Sequence, residues 1–257
     1  MALYSLFARG KKKPASKTGR RSSLKVRALA AADLPAPVEI ALSRRTRRLA
    51  MRIDPQQDLV RVTGPLSLSD AEILRFLRRH KDWLAKRLAA RPEKLALKDG
   101  AVVPILGIDH TVRHRPEHRG ATAIVLGPDG PEIHVGGSAE FTVRRVTDFL
   151  KQRARSWLGA EARAIALRIA KPVAAVTVRD TRSRWGSCSV DGRLSFCWRL
   201  LLAPEPVARY VVAHEVAHLR HLDHSDRFWQ LCADLVGDID APRAWLREHG
   251  PRLHRYG

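Results

Sequence analysis

Val211-Val212-Ala213-His214-Glu215-Val216-Ala217-His218-Leu219 is the stretch that decides the reading. Two histidines stand four residues apart inside an apolar run, and a glutamate follows the first. On an α-helix a spacing of four turns the side chain by only about 40° and advances it by about 6 Å. Two imidazoles so placed can converge on one ion at the roughly 2.0–2.1 Å that zinc–nitrogen bonds require. Glu215 is rotated by about 100° from His214, so its carboxylate stands beside such an ion and can take a proton from a zinc-bound water. With this chain's own His and Glu frequencies, a chance HExxH is on the order of one in fifty. The bland alternative is a pair of surface histidines beside an acid. The motif falls where the pattern independently reads as helix, which favours the metal.

A catalytic zinc site needs a third protein ligand and an open position. His221 and His224 follow closely. If the helix continues, His221 lies about 10 Å from His214 along the axis, too far to share an ion. It reads as a surface or supporting residue. His224 reaches the ion if the helix ends near Leu222 and the chain folds back, and Asp223 and Ser225 suit such a turn. The resulting pattern has the metzincin spacing. However, His221 occupies the metzincin glycine position, and the only methionines are Met1 and Met51, so no Met-turn follows. The ligand set His214, His218 and His224 stands without that family.

Outward from the motif, helices are expected through about Leu222 and from about Ser225 to Val236, then a short one with Trp245 and Leu246. Upstream, Val173 to Arg179 and Arg193 to Trp198 read as strands, with Asp191-Gly192 a turn. Ser138 to about Ala170 carries a helical apolar stripe, with Gly159 a kink point. Val102 to Val135 is strand-rich, broken by glycines. Ser69 followed by Glu72 is a capping-box signature, opening a helix over 69–91. Alternation around Val38–Leu42, Leu49–Ile53 and Val60–Val62 gives three short strands. Residues 1–35, with Lys11-Lys12-Lys13, read as a flexible basic arm. The expected organisation is this arm, a β-rich region over 36–136 and a metal-binding core over 137–257.

Lys and Arg number 47 against 26 Asp and Glu, a formal net charge of +21, which draws the chain toward anions. Nucleic acid is therefore a candidate partner, through the basic surface and the arm. A GC-rich genome would produce the same arginine excess. Three cysteines without a CxxC pair exclude a disulfide framework and suit a reducing, cytoplasmic compartment. No apolar run is long enough for a transmembrane helix.

The order Arg182-Ser183-Arg184-Trp185-Gly186-Ser187-Cys188-Ser189, Trp198-Arg199-Leu200, Ala203-Pro204, Tyr210 to Glu215, His224-Ser225, Phe228-Trp229 and Trp245-Leu246 resembles the YgjP-like metallopeptidase family, related to the SprT-like proteases. The likeness runs from about residue 38 onward, as one unit. It implies an α+β fold: a zincin-like, minigluzincin or SprT-like domain whose HExxH helix lies beside a β-sheet. It also implies one zinc per chain, completed by the third histidine. Asp223 stands where family members often have Asn.

Trp185 and Gly186 can place a backbone edge beside the cleft, and Arg182 and Arg184 can orient a substrate carbonyl or carboxylate. The alternative is a core Trp185 with solvent-facing arginines. Phe228 and Trp229 read as packing residues that lock the helix after His224. The expected activity is zinc-dependent hydrolysis of a peptide or protein substrate, with Glu215 as base and then acid. The competing expectation is a basic nucleic-acid-associated protein with a structural or degenerate zinc site. It ranks second because structural zinc takes four ligands, often thiolates.

Overall fold

The computed structural model describes residues 25–257 except 55, 56, 58, 91–94, 182 and 183. The described residues form two compact units, one before residue 91 and one after residue 94. The expected boundary near residue 136 is therefore replaced by one more than forty residues earlier, and the second strand-rich patch joins the metal-binding unit. Most of the expected arm, residues 1–24, lies outside the described residues.

In the first unit β1 (Lys25–Leu29), β2 (Val38–Leu42), β3 (Ala50–Ile53) and β4 (Val60–Gly64) form one sheet in the order β1-β2-β4-β3. β2 and β4 are parallel, and the outer strands pair antiparallel. β1 falls inside the segment expected to be a flexible arm. Its Leu29 is buried, so it takes part in this core. Buried residues alternate along β4, with Val60 and Val62 facing Ile40, Ile73, Leu77 and Leu84.

Ser69 caps α1 (Asp70–Arg79) as its spacing predicts: the Glu72 amide donates to Ser69 Oγ, and the Ser69 amide donates to Glu72 Oε2 at 2.8 Å. The single helix expected over 69–91 is two helices. The chain leaves helical geometry at His80 (φ −108°, ψ 14°) before α2 (Lys81–Ala89).

The second unit opens with a sheet of β5 (Val102–Ile105), β6 (Ile108–His114), β7 (Ala123–Gly127) and β8 (Gly130–Val135), in the order β5-β6-β8-β7. Next comes α3 (Thr142–Arg168), whose stripe Val146, Leu150, Ala154, Leu158, Ala162 and Ile165 is buried along its whole length. Gly159 sits inside this helix without ending it, and its carbonyl also accepts from the Arg163 guanidinium at 3.0 Å.

A small sheet holds β9 (Ala175–Arg179), β10 (Gly186–Cys188) and β11 (Arg193–Cys197), in the order β10-β11-β9. β10 is antiparallel and β9 parallel to β11. A 3-10 turn over Trp198–Leu202 leads to α4 (Glu205–Ala217), then α5 (Asp226–Val236) and α6 (Asp240–Leu253). The last helix is fourteen residues, longer than expected. Among the described residues no helix is long and apolar enough to cross a membrane.

Candidate metal centre

Every residue of α4 from Val207 to Ala217 except Arg209 is buried, so this helix is a central element of the unit, apolar nearly all round. Pro204 is its N-cap, and Pro206 sits in its first turn, where a missing N–H costs nothing. It ends at Ala217, five residues before the expected end, and His218 is its cap. The amides of Arg220 and His221 both donate to the Ala217 carbonyl at 3.0 Å, which closes the last turn. Asp223 Oδ1 then accepts from Ser225 Oγ at 2.9 Å, and α5 begins.

This reversal returns His224 to the helix. Its Nε2 lies 3.1 Å from His214 Nε2. Two nitrogens on one tetrahedral zinc stand about 3.3 Å apart when each bond is about 2.0–2.1 Å. One ligand nitrogen from each of His214, His218 and His224 lies within 4.8 Å of the others. The donor set fits a zinc ion, with only small rotation of the rings.

Protonation favours the same fit. Burial holds His214 well below the ordinary imidazole pKa, and the charges of His218, His224 and Arg243 push the same way. Burial also lowers His218. Neutral imidazole is the form that binds metal. His218 Nδ1 lies 2.9 Å from the His221 carbonyl, which can only accept, so Nδ1 carries the proton and Nε2 is left for the ion. His221 supports the site through its backbone.

Glu215 is buried, at 2% exposure. Burial pushes its pKa up to about 8, and the nearby Arg184 guanidinium opposes that rise. Its carboxylate lies against Gly186 of β10. A methyl group at Gly186 would stand 2.5 Å from Glu215 Oε1 and from Cγ. Only glycine leaves this space, a requirement that sequence reasoning missed because a glycine in a short strand has no distinctive pattern. Two residues on, the Cys188 thiol is pushed up to about 12 by burial and then by the Glu215 charge. Neither it nor the buried Cys197 and Cys232 joins the ligand group.

The segment entering β10 is anchored from several sides. The buried Arg199 donates to Asp180 at 2.5 Å and twice to the Tyr256 carbonyl, at 3.0 and 2.8 Å. Trp185 is 2% exposed and stacks on His254 at 4.5 Å, so it belongs to the core and does not line a cleft. Arg184 is exposed on the Glu215 side. Arg182 lies outside the described residues.

Phe228 and Trp229 pack as expected, but against the imidazoles themselves. The Phe228 ring is 4.8, 4.5 and 4.7 Å from those of His214, His218 and His224. Trp229 lies 5.7 and 5.5 Å from His214 and His224, with the Arg243 guanidinium over it at 4.7 Å. This wall limits the rings to few rotamers and excludes water from one side. Tyr210, one turn before His214, adds a buried phenol that burial keeps protonated.

A family model described as "YgjP-like, metallopeptidase domain" matches residues 47–249. Among curated proteins, the UTP pyrophosphatase of Escherichia coli (strain K12) is 48% identical over 33 residues, 13% of this chain and 20% of that protein. The match thus spans a fifth of the relative's length. Among solved structures, the metallopeptidase zymogen abylysin of Pyrococcus abyssi matches at 20% identity and a TM-score of 0.27, over 40% of this chain and 91% of that one. A likeness at that score says nothing about the function of this chain.

Proposed function

The chain belongs to the YgjP-like metallopeptidase family, and from that premise we propose that it hydrolyses peptide bonds with one zinc ion held by His214, His218 and His224. The observation that carries the proposal is the meeting of the His214, His218 and His224 imidazoles, with the buried Glu215 carboxylate on the helix that carries His214. Zinc, when bound, supplies Lewis acidity toward a carbonyl oxygen and lowers the pKa of water toward 7. Glu215 takes the proton of the attacking water and returns it to the leaving amine. A carboxylate whose pKa has been raised toward neutrality can do both. Among the described residues β10 pairs with a strand on one side only, and its outer edge is where an extended peptide would add as a further strand. In this reading Arg184, exposed near Glu215, orients that peptide.

The test is hydrolysis of a peptide library by the purified protein. Cleavage is expected to stop on chelation and to return with one equivalent of zinc. A second reading comes from the name of the Escherichia coli relative and from Arg184, whose guanidinium suits phosphate as well as carboxylate. UTP therefore belongs in the same assay. Pyrophosphate release without cleavage of any peptide would overturn the peptidase reading in favour of phosphoanhydride hydrolysis.

Gly186→Ala tests the geometry around the base. The three atoms nearest the new methyl all belong to the Glu215 side chain, so the strain falls first on that side chain, and the fold is expected to persist with zinc bound. The carboxylate must move by about 1 Å, and turnover is expected to fall by about 10²-fold. Native turnover in this variant would show that the position of the carboxylate against β10 is immaterial.

A further inference from the structure

We propose that the connection between β2 and β3 is a docking surface for the phosphate backbone of nucleic acid. The sequence there is Ser43-Arg44-Arg45-Thr46-Arg47-Arg48, with Arg52 a little further on, in the edge strand β3. All five arginines are exposed. The segment is ordered. The Ser43 amide donates to the Gly64 carbonyl at 3.0 Å, and the Thr46 amide donates back to the Ser43 carbonyl at 3.2 Å. Ser43 Oγ accepts from the Arg45 amide at 3.1 Å. The buried Leu42 precedes it, and the half-buried Leu49 packs on the same core after it. The guanidinium groups therefore stand on a pinned turn.

Among the described residues their charge has no ion-pair partner. In this unit Asp70 pairs with Arg27, Asp33 with Arg78, and Glu39 with Arg61. No carboxylate among the described residues pairs with any of the five. Across the strand pair Arg52 faces Arg61, whose own charge is met by Glu39 and Asp54. Such a cluster repels itself unless a polyanion neutralises it.

The partner follows from three features. The cluster is all arginine, whose planar fork matches phosphate oxygens in pairs. It is several charges long, which fits a repeating anion better than a single carboxylate. Its apolar neighbours Leu49 and Met51 turn toward the core, so the loop offers a lipid surface no anchor. Contacts to phosphate alone carry no sequence information, so the binding is indifferent to sequence. This inference does not depend on the peptidase reading.

The experiment is anisotropy titration of a labelled duplex of arbitrary sequence with the full chain, at several salt concentrations. The wild type is compared with a variant carrying Arg44→Ala, Arg45→Ala, Arg47→Ala and Arg48→Ala, and with one carrying Lys11→Ala, Lys12→Ala and Lys13→Ala. Each phosphate contact contributes about 0.9 to the slope of log affinity against log salt. The four-arginine variant is expected to lose about 3 to 4 of that slope and at least tenfold in affinity near 0.1 M salt. Its zinc content and melting temperature should match the wild type, because the four altered residues are exposed. The proposal is overturned if that variant keeps its affinity and slope, if only the lysine variant loses them, or if the wild type binds anionic vesicles and no duplex.

Discussion

Replacing Glu215 with Gln is expected to leave one zinc per chain and to lower turnover by about 10²–10⁴-fold, the range for loss of a general base. Gln has the same shape and fits the space at Gly186, so the histidines keep their positions. It has no affinity for the proton that must move. The variant is also expected to differ in the stability of the metal-free protein. Unfolded, Glu215 releases its proton near pH 4.5; folded, burial holds it until about 8. Between those values the folded chain binds the extra proton, so this group makes stability fall as pH rises. His214 and His218, lowered from 6.5, act with the opposite sign, and only below about 6.5. From about pH 6.5 to 8, Glu215 is the one of these three groups whose contribution changes. Metal-free wild type should lose melting temperature across that range, and the Gln variant should not. Retained hydrolysis in the Gln variant would remove Glu215 from the mechanism.

Local signals were legible where a few residues carried the whole physical cause. Ser69 and Glu72 announced the start of α1, because both halves of a capping box lie within four residues. The HExxH run announced α4, and the polar residues Asp223 and Ser225 announced the reversal before α5. The end of α4 was not legible, since nothing between His218 and Leu222 breaks a helix by itself. Its end at Ala217 is set by the chain folding back to bring His224 to the site. His80 likewise interrupts a helix without proline or glycine. The parallel pairing of β11 with β9, and of β6 with β8, depends on contacts between distant segments that leave no mark in either strand. The role of Gly186 is of the same kind. It exists only because Glu215, twenty-nine residues later, occupies the volume of its missing side chain.

The second large effect is expected at the third ligand. On the proposed ligand set, His224→Ala removes one of three nitrogens and leaves His214 of α4 and His218, the cap of that helix. Zinc affinity should fall by more than the ~10–100-fold that follows loss of a partner hydrogen-bonded to a ligand. In practice, metal content after dialysis against a weak chelator should drop from one per chain toward zero. His221→Ala is the informative companion, because the two histidines lie three residues apart in the same turn. His221 acts through its carbonyl, which accepts from His218 Nδ1 with the two atoms 2.9 Å apart, and which survives removal of the side chain. Its alanine variant is therefore expected to keep zinc. Both variants should fold, since Phe228, Trp229 and the Asp223–Ser225 turn remain to hold α5 against α4. If His221→Ala lost the metal and His224→Ala kept it, the imidazole of residue 221 would be the ligand. The short approach of His224 to His214 would then be packing between rings and nothing more.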